Sequence, residues 1–181
     1  MNFTGQILKM TTQNAKPIQY FLNLNQDLIN INQLLGKKAA VSPATLAGLL
    51  DKVKSYALLA QYHPEVTEGI EYVRVNRVMI YPGFRVHLEE VWRFEREDTL
   101  VFRLALENTT GEPIQYKPQD LAVRVGNRIY CQAIADASGV MPPNAVVPAY
   151  FAITGNPAGG RNNLSADNRW NVLLPRIKEG S

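Results

Sequence analysis

From Ile70 onward, apolar and polar residues alternate with a period of two, the spacing that sends successive side chains to opposite faces of a strand. The cleanest run places Leu100, Phe102, Leu104 and Leu106 in one phase and Val101, Arg103, Ala105 and Glu107 in the other. The run before it carries Phe84, Val86 and Leu88 inward and meets Glu90 in the apolar phase; Trp92 and Phe94 then resume that phase. A bulge near Glu89–Glu90, or an acid at a sheet edge, resolves that conflict. Glu95-Arg96-Glu97-Asp98 supplies the turn between these two runs, and Gly126-Asn127 is a two-residue hairpin signal. Further strands are expected at IEYVRV with RVMIY, PIQYK, DLAVRV, RIYCQAI, VVPAYFAIT and WNVLLP. Short strands cut by turn residues at this spacing indicate an antiparallel sandwich or barrel.

Upstream the period changes. Leu46, Leu49, Leu50, Val53, Ala57 and Ala60 recur at helical spacing, with Asp51, Lys52 and Lys54 off the stripe. Ser42 is a good N-cap, Pro43 is tolerated at the first helical position, and His63-Pro64 stops the pattern. Residues 3–24 read as a β-hairpin in which Ile18, Tyr20, Leu22 and Leu24 share a face. A short helix follows, carrying Leu28, Ile31 and Leu35 and ending at Gly36. The chain thus divides into a hairpin-helix unit at 1–38, an amphipathic helix with a linker at 39–66, and a mainly β domain at 67–181.

Two resemblances attach to these patterns. FTGQILKM, PIQYFLNLNQDL and NQLLGKK are similar to the opening of an uncharacterised bacterial family with a following zinc-ribbon-like cysteine cluster, but no cysteine precedes Cys131 here. That resemblance implies no functional residue, and it marks a junction near Lys38–Ala40. Over residues 70–176, the order LVFRLALEN, TTGEPIQY, KPQDLAVRVGNRIYCQA and MPPNAVVPAYFAI resembles immunoglobulin-like domains of bacterial envelope proteins. The resemblance implies an immunoglobulin-like antiparallel β-sandwich, an extracytoplasmic setting and a structural or protein-interaction role. GGRNNLSADNRWNVLL also looks like the ending of β-sandwich subunits from conjugation machinery, which implies an alternative role in a conjugation or secretion assembly.

Composition adds exclusions. The chain of 181 residues is 46% hydrophobic and 19% charged, an ordinary globular balance. No run approaches the apolar length of a membrane span, and MNFTGQILKM lacks the pattern of a secretory signal. The formal charge of +3 sits in the first forty residues, on Lys9, Lys16, Lys37 and Lys38 against Asp27. Scattered lysines are a solvated surface rather than a nucleic-acid stripe, so no nucleic-acid partner is expected. A single cysteine, Cys131, excludes an intrachain disulfide and any multi-cysteine metal site; in phase with Ile129, it reads as a small buried residue.

Little chemistry emerges. His63 and His87 form no ligand pair, so no metal or cofactor is expected. Ser138, in DASG, is the sole candidate nucleophile for a hydrolase, but no base context frames it, and a loop role is the simpler reading. Glu89/Glu90 and Glu97/Asp98 are carboxylate pairs expected to be solvated. Asn2, Asn108 and Asn163 match a glycosylation acceptor pattern, with Asn108 better read as a strand-end turn. Trp92 and Trp170 are candidates for a sugar-stacking platform, although such residues more often fill a sandwich core. The glycine-rich loop near Arg161 reads as a contact loop at one end of the fold, so Arg161, Asn162 and Trp170 are the candidate interaction residues. The reading is a non-enzymatic module with a protein partner, a carbohydrate-binding module being the alternative.

Overall fold

The structure, a computed structural model, describes residues 41–177; the hairpin-helix expectation for residues 1–38 lies outside them. Three short helices, α1 (Pro43–Lys54), α2 (Tyr56–Tyr62) and α3 (Pro64–Thr67), precede ten strands. These are β1 (Ile70–Tyr81), β2 (Phe84–Phe94), β3 (Thr99–Asn108), β4 (Ile114–Gln115), β5 (Ala122–Val125), β6 (Arg128–Cys131), β7 (Ile134–Asp136), β8 (Val140–Met141), β9 (Val146–Thr154) and β10 (Asn171–Leu173). The fold is mainly β, with antiparallel sheets stacked as a sandwich and helices at its start. The large sheet has the order β1-β2-β3-β9-β7, and it faces a three-stranded sheet β10-β5-β6 with a two-stranded β4-β8 pair beside it.

The main core lies between the sheets. Phe84, Val86, Leu88, Leu100, Phe102, Leu104 and Leu106 meet Leu121, Val123, Tyr130, Met141, Trp170 and Val172 there, as the alternation predicted for β2 and β3. Phe102 stacks on Phe151 and receives the edge of Trp170, with ring centroids 4.8 and 4.9 Å apart. Tyr81-Pro82-Gly83-Phe84 closes the first hairpin, and Gly83 takes φ +84°. That value is open to glycine and costly for other residues.

A second core lies on the opposite face of the large sheet. Leu49, Leu50 and Val53 of α1 pack on Trp92, Phe94, Val101 and Ala152. Val101, on the phase that alternation alone would give to solvent, is 0% exposed for this reason. The expected bulge is present, as a register shift between Leu88 and Glu90, but it reverses the phase rather than resuming it. Val91 continues the sandwich core, whereas Trp92 and Phe94 turn to the helix.

Other expectations are corrected. The helical stripe ends at Val53: Ser55 is a C-cap between α1 and α2, and Ala57 and Ala60 are exposed. The two segments IEYVRV and RVMIY are one strand with an irregularity between Arg74 and Arg77, where Asn76 takes φ +50°. Cys131 is exposed, because Tyr130 takes the core-facing position of the short strand β6 and sends its neighbours to solvent. RIYCQAI is two strands, β6 and β7, belonging to different sheets. Ser42 caps α1 as expected, its Oγ accepting from Thr45 N at 3.1 Å.

Candidate interaction face

The loop end proposed from the sequence is built as a latch. Asp98 closes the β2–β3 turn at φ +48° and is buried with Arg93. Arg93 Nη2 donates to Asp98 Oδ1 at 2.8 Å, and Asp98 Oδ2 accepts from the Asn162 backbone N–H at 3.0 Å. Asn162 returns two side-chain bonds: its Oδ1 accepts from Arg93 Nη1 at 2.6 Å and its Nδ2 donates to Asp98 O at 3.0 Å. Asn162 is therefore a buried strut and not a contact residue. Trp170 is 0% exposed, with its Nε1 donating to Ala166 O at 2.8 Å. Arg161 remains at the surface, where its guanidinium holds Glu95 Oε1 at 2.7 Å. The glycine-rich loop is thus pinned to the end of the sandwich. Trp92 and Trp170 are both buried, so neither ring can serve as a sugar-stacking platform.

The remaining chemical candidates are also engaged locally. Ser138 Oγ donates to Val140 O at 2.7 Å and accepts from Val140 N, a turn rather than a nucleophile–base pair. His63 pairs with Glu65, and His87 with Glu107. Asn108 is buried, its Nδ2 donating to Glu112 O and Met141 O, which ties β3 to β8. Among the described residues no group of three or more His, Cys, Asp or Glu is placed to hold a metal ion, and no helix is long and apolar enough to cross a membrane.

The helix-side face of the large sheet holds what alternation alone did not reveal. Strand register divides it into three bands. The first, with Tyr72, Trp92, Val101, Ala152 and Ile134 in one row, lies under α1 and Tyr56. The second is a polar row, Arg74–Glu90–Arg103–Tyr150–Asp136. The bulge brings two neighbouring carboxylates to one cation: Arg103 Nη1 lies 2.9 Å from Glu90 and its Nε 2.9 Å from Glu89. Tyr72 donates to Glu90 Oε1 at 2.6 Å, and burial followed by this bond pushes the phenol above its ordinary value. Lys54, at the end of α1, bonds Asp136 and is held above its ordinary value by that bond, against the opposing effect of burial. Glu90 and Asp98, expected to be solvated, are instead paired and largely shielded from water.

The third band is open. Its rows are Val78–His87–Ala105–Pro148 and Ile80–Arg85–Glu107–Val146, in the strand order β1, β2, β3, β9. Ile80 is 78% exposed, Val146 60% and Val78 48%. At its centre Glu107 accepts from or pairs with His87 Nε2 at 2.8 Å and lies 3.3 Å from Arg85 Nη1. The His87 hydrogen bond, then the Arg85 charge, hold the Glu107 carboxyl below its ordinary value of 4.5. A group lowered in the folded state contributes stability above its unfolded pKa and loses it as pH falls through the folded one. Urea midpoints measured downward from neutral pH should therefore fall more steeply below pH 4.5 for the wild type than for Glu107→Gln. Parallel pH profiles would contradict this role for the His87–Glu107 contact.

Comparisons give this face no borrowed identity. No family model matches the chain, and no curated protein does. The chain is similar to a conserved hypothetical protein from Bacillus anthracis at 16% identity and TM-score 0.40, covering 58% of this chain and 91% of that one. It is also similar to a functionally unknown protein from Listeria monocytogenes EGD-e, at 3% identity and TM-score 0.33, covering 61% of this chain and 85% of that one.

Proposed function

We propose that this protein is a non-enzymatic interaction module that uses the open band of the large sheet to hold a protein partner. The observation that carries the reading is the exposure of Ile80, Val146 and Val78 on one face of the large sheet, across the polar row from the band that α1 covers. Exposed apolar residues at both edges of a face, Val78 with Ile80 on β1 and Val146 with Pro148 on β9, framing the Arg85–Glu107–His87 group between them, are the mix of apolar and polar surface that a protein contact uses.

Strand order supports an immunoglobulin-like frame. The sequence β2-β3-β9-β7 in the large sheet, facing β10-β5-β6, follows the A-B-E-D and F-C-C′ orders of such sandwiches, with β1 added at the edge. Together with the resemblance of residues 70–176 to envelope domains, this order supports a setting in the bacterial cell envelope. The test is photo-crosslinking in the native host from a reactive residue at position 80, with one at Asn127 in the opposite hairpin as control, followed by fractionation. A discrete adduct from position 80 in the envelope fraction is expected. Equal yields from both positions, or a purely cytosolic protein, would sink the respective halves of the reading.

A further inference from the structure

The open band and the polar row beside it carry matched charges, and this identifies an occupant. Along β2, Arg85 in the outermost row and Glu90 in the polar row lie on either side of His87, on the same face. Along β3, Glu107 and Arg103 lie on either side of Ala105 in the opposite order of sign. Along β9, Val146 and Tyr150 flank Pro148, and along β1, Ile80 and Arg74 flank Val78. A two-fold axis in the plane of the face, running across the strands at the level of His87 and Ala105, keeps each strand column opposite itself and exchanges the outer rows. It sets Arg85 against Glu90 of the other copy, Glu107 against Arg103, Val146 against Tyr150, and Ile80 against the stem of Arg74. Val78, His87, Ala105 and Pro148, the row on the axis, then meet their own counterparts at the centre.

Resting on the interaction-module reading, we infer that the partner of this face is a second copy of this chain, packed sheet to sheet through the open band. A self-complementary patch related by a two-fold is what an isologous dimer requires. The side chains of Arg103, Arg74 and Arg85 are 43%, 67% and 47% exposed. Glu107 and Glu90, at 27% and 13%, are already held within the chain by Arg85 with His87 and by Arg103, so the contact adds a second chain's arginine to each carboxylate. The covered band also fits this arrangement. A helix layer and a facing sheet both stand about 10 Å above a sheet, so the α1 layer of one copy lies beside the sheet of the other at the same height. An axis along the strands would instead drive the two α1 layers into each other. The contact spans three rows on four strands, a small interface, so the dimer is concentration-dependent.

The experiment is sedimentation velocity on the full chain, from about 10 μM to about 1 mM, the range in which weak interfaces fill. Ile80→Lys, at an exposed position where the fold is indifferent, places a cation against Arg74 of the other copy and should weaken dimerisation at least about tenfold. Ile80→Lys combined with Arg74→Glu should restore it. Positions 74 and 80 stand in rows that are four residues apart on the regular strand β3, about 14 Å, beyond the reach of a direct Lys–Glu pair, so rescue does not arise within a chain. Val146→Asp, also exposed, gives an independent loss. A monomeric wild type, a dimer indifferent to Ile80→Lys, or a loss without rescue overturns the proposal.

If the wild type is monomeric, the thiol introduced by Ile80→Cys separates the two failures, with exposed Cys131 as the reference for reaction with a thiol reagent. Reaction as fast as that of Cys131 removes the second copy and leaves the face open to a different protein. Protection in the monomer removes the interaction-module reading as well, because the chain's own residues 1–40 would then cover the face.

Discussion

Asp98→Asn is expected to lower the unfolding free energy by about 3 kcal/mol, the lower end of the cost of breaking a buried ion pair. The substitution keeps the shape of the side chain, and asparagine tolerates the left-handed backbone that Asp98 occupies at φ +48°. It fails on hydrogen-bond inventory. Both carboxylate oxygens accept, one from Arg93 and one from the Asn162 backbone N–H, whereas an amide offers one oxygen and turns an NH2 toward the other donor. The buried Arg93 guanidinium keeps Glu95, whose Oε2 it reaches at 2.9 Å, but that carboxylate is 69% exposed and holds it less firmly. Urea denaturation measures the loss, and a cycle with Arg93→Met separates the pair from its surroundings. The double variant should lose less than the sum of the singles, since removing both charges leaves no unpaired ion. Additive losses would show that Asp98 acts through the turn alone.

This latch shows where a sequence stops being legible. Glu95–Asp98 can be read as a turn, and Arg161-Asn162 as a loop, from local composition. That Asp98 and Asn162 close on one buried arginine depends on a contact 64 residues apart in the chain, which no local pattern encodes. The bulge at Glu89 was legible as a conflict of phase. Its consequence was not, because an inserted residue can restore the former face or reverse it, and only packing decides. Here α1 decides: its stripe needed an apolar face, and Trp92 and Phe94 provide it beside Val101 and Ala152.

The same point explains Cys131. In Arg128-Ile129-Tyr130-Cys131 three consecutive residues are apolar, so alternation does not say which one faces in, and the large ring of Tyr130 took the core. The open band was legible in part. Val78 and Ile80 stand in the phase opposite Met79 and Tyr81, but the sequence does not show that α1 and α2 stop short of them.

Trp170→Ala should cost about 3–5 kcal/mol, enough to remove a large share of the stability of a domain this size. Three losses coincide. The indole is 0% exposed at the centre of the main core, so its removal leaves a cavity bounded by strands that cannot collapse into it. Its edge-to-face contact with Phe102 disappears, an interaction worth about 0.5–1.5 kcal/mol beyond burial. The Ala166 carbonyl loses the Nε1–H donor that folds the segment before β10 back on itself.

Trp170→Phe isolates this last part, because it keeps a ring against Phe102 while deleting the donor, and it should recover more than half of the loss. Equilibrium unfolding followed by far-ultraviolet circular dichroism checks both variants without relying on the fluorophore being changed. Trp92→Ala is the informative contrast. Its indole lies under Tyr56 and Tyr72, with ring centroids 5.9 and 5.6 Å away, and its Nε1 has no partner among the described residues. Removing it deletes no hydrogen bond and opens the α1 layer rather than the sandwich. Its cost should be smaller, and hydrogen exchange should speed first in α1 while β3 and β9 stay protected. If both variants instead lose protection across the whole large sheet together, α1 and the sandwich form one cooperative unit and the two faces of that sheet are not separable.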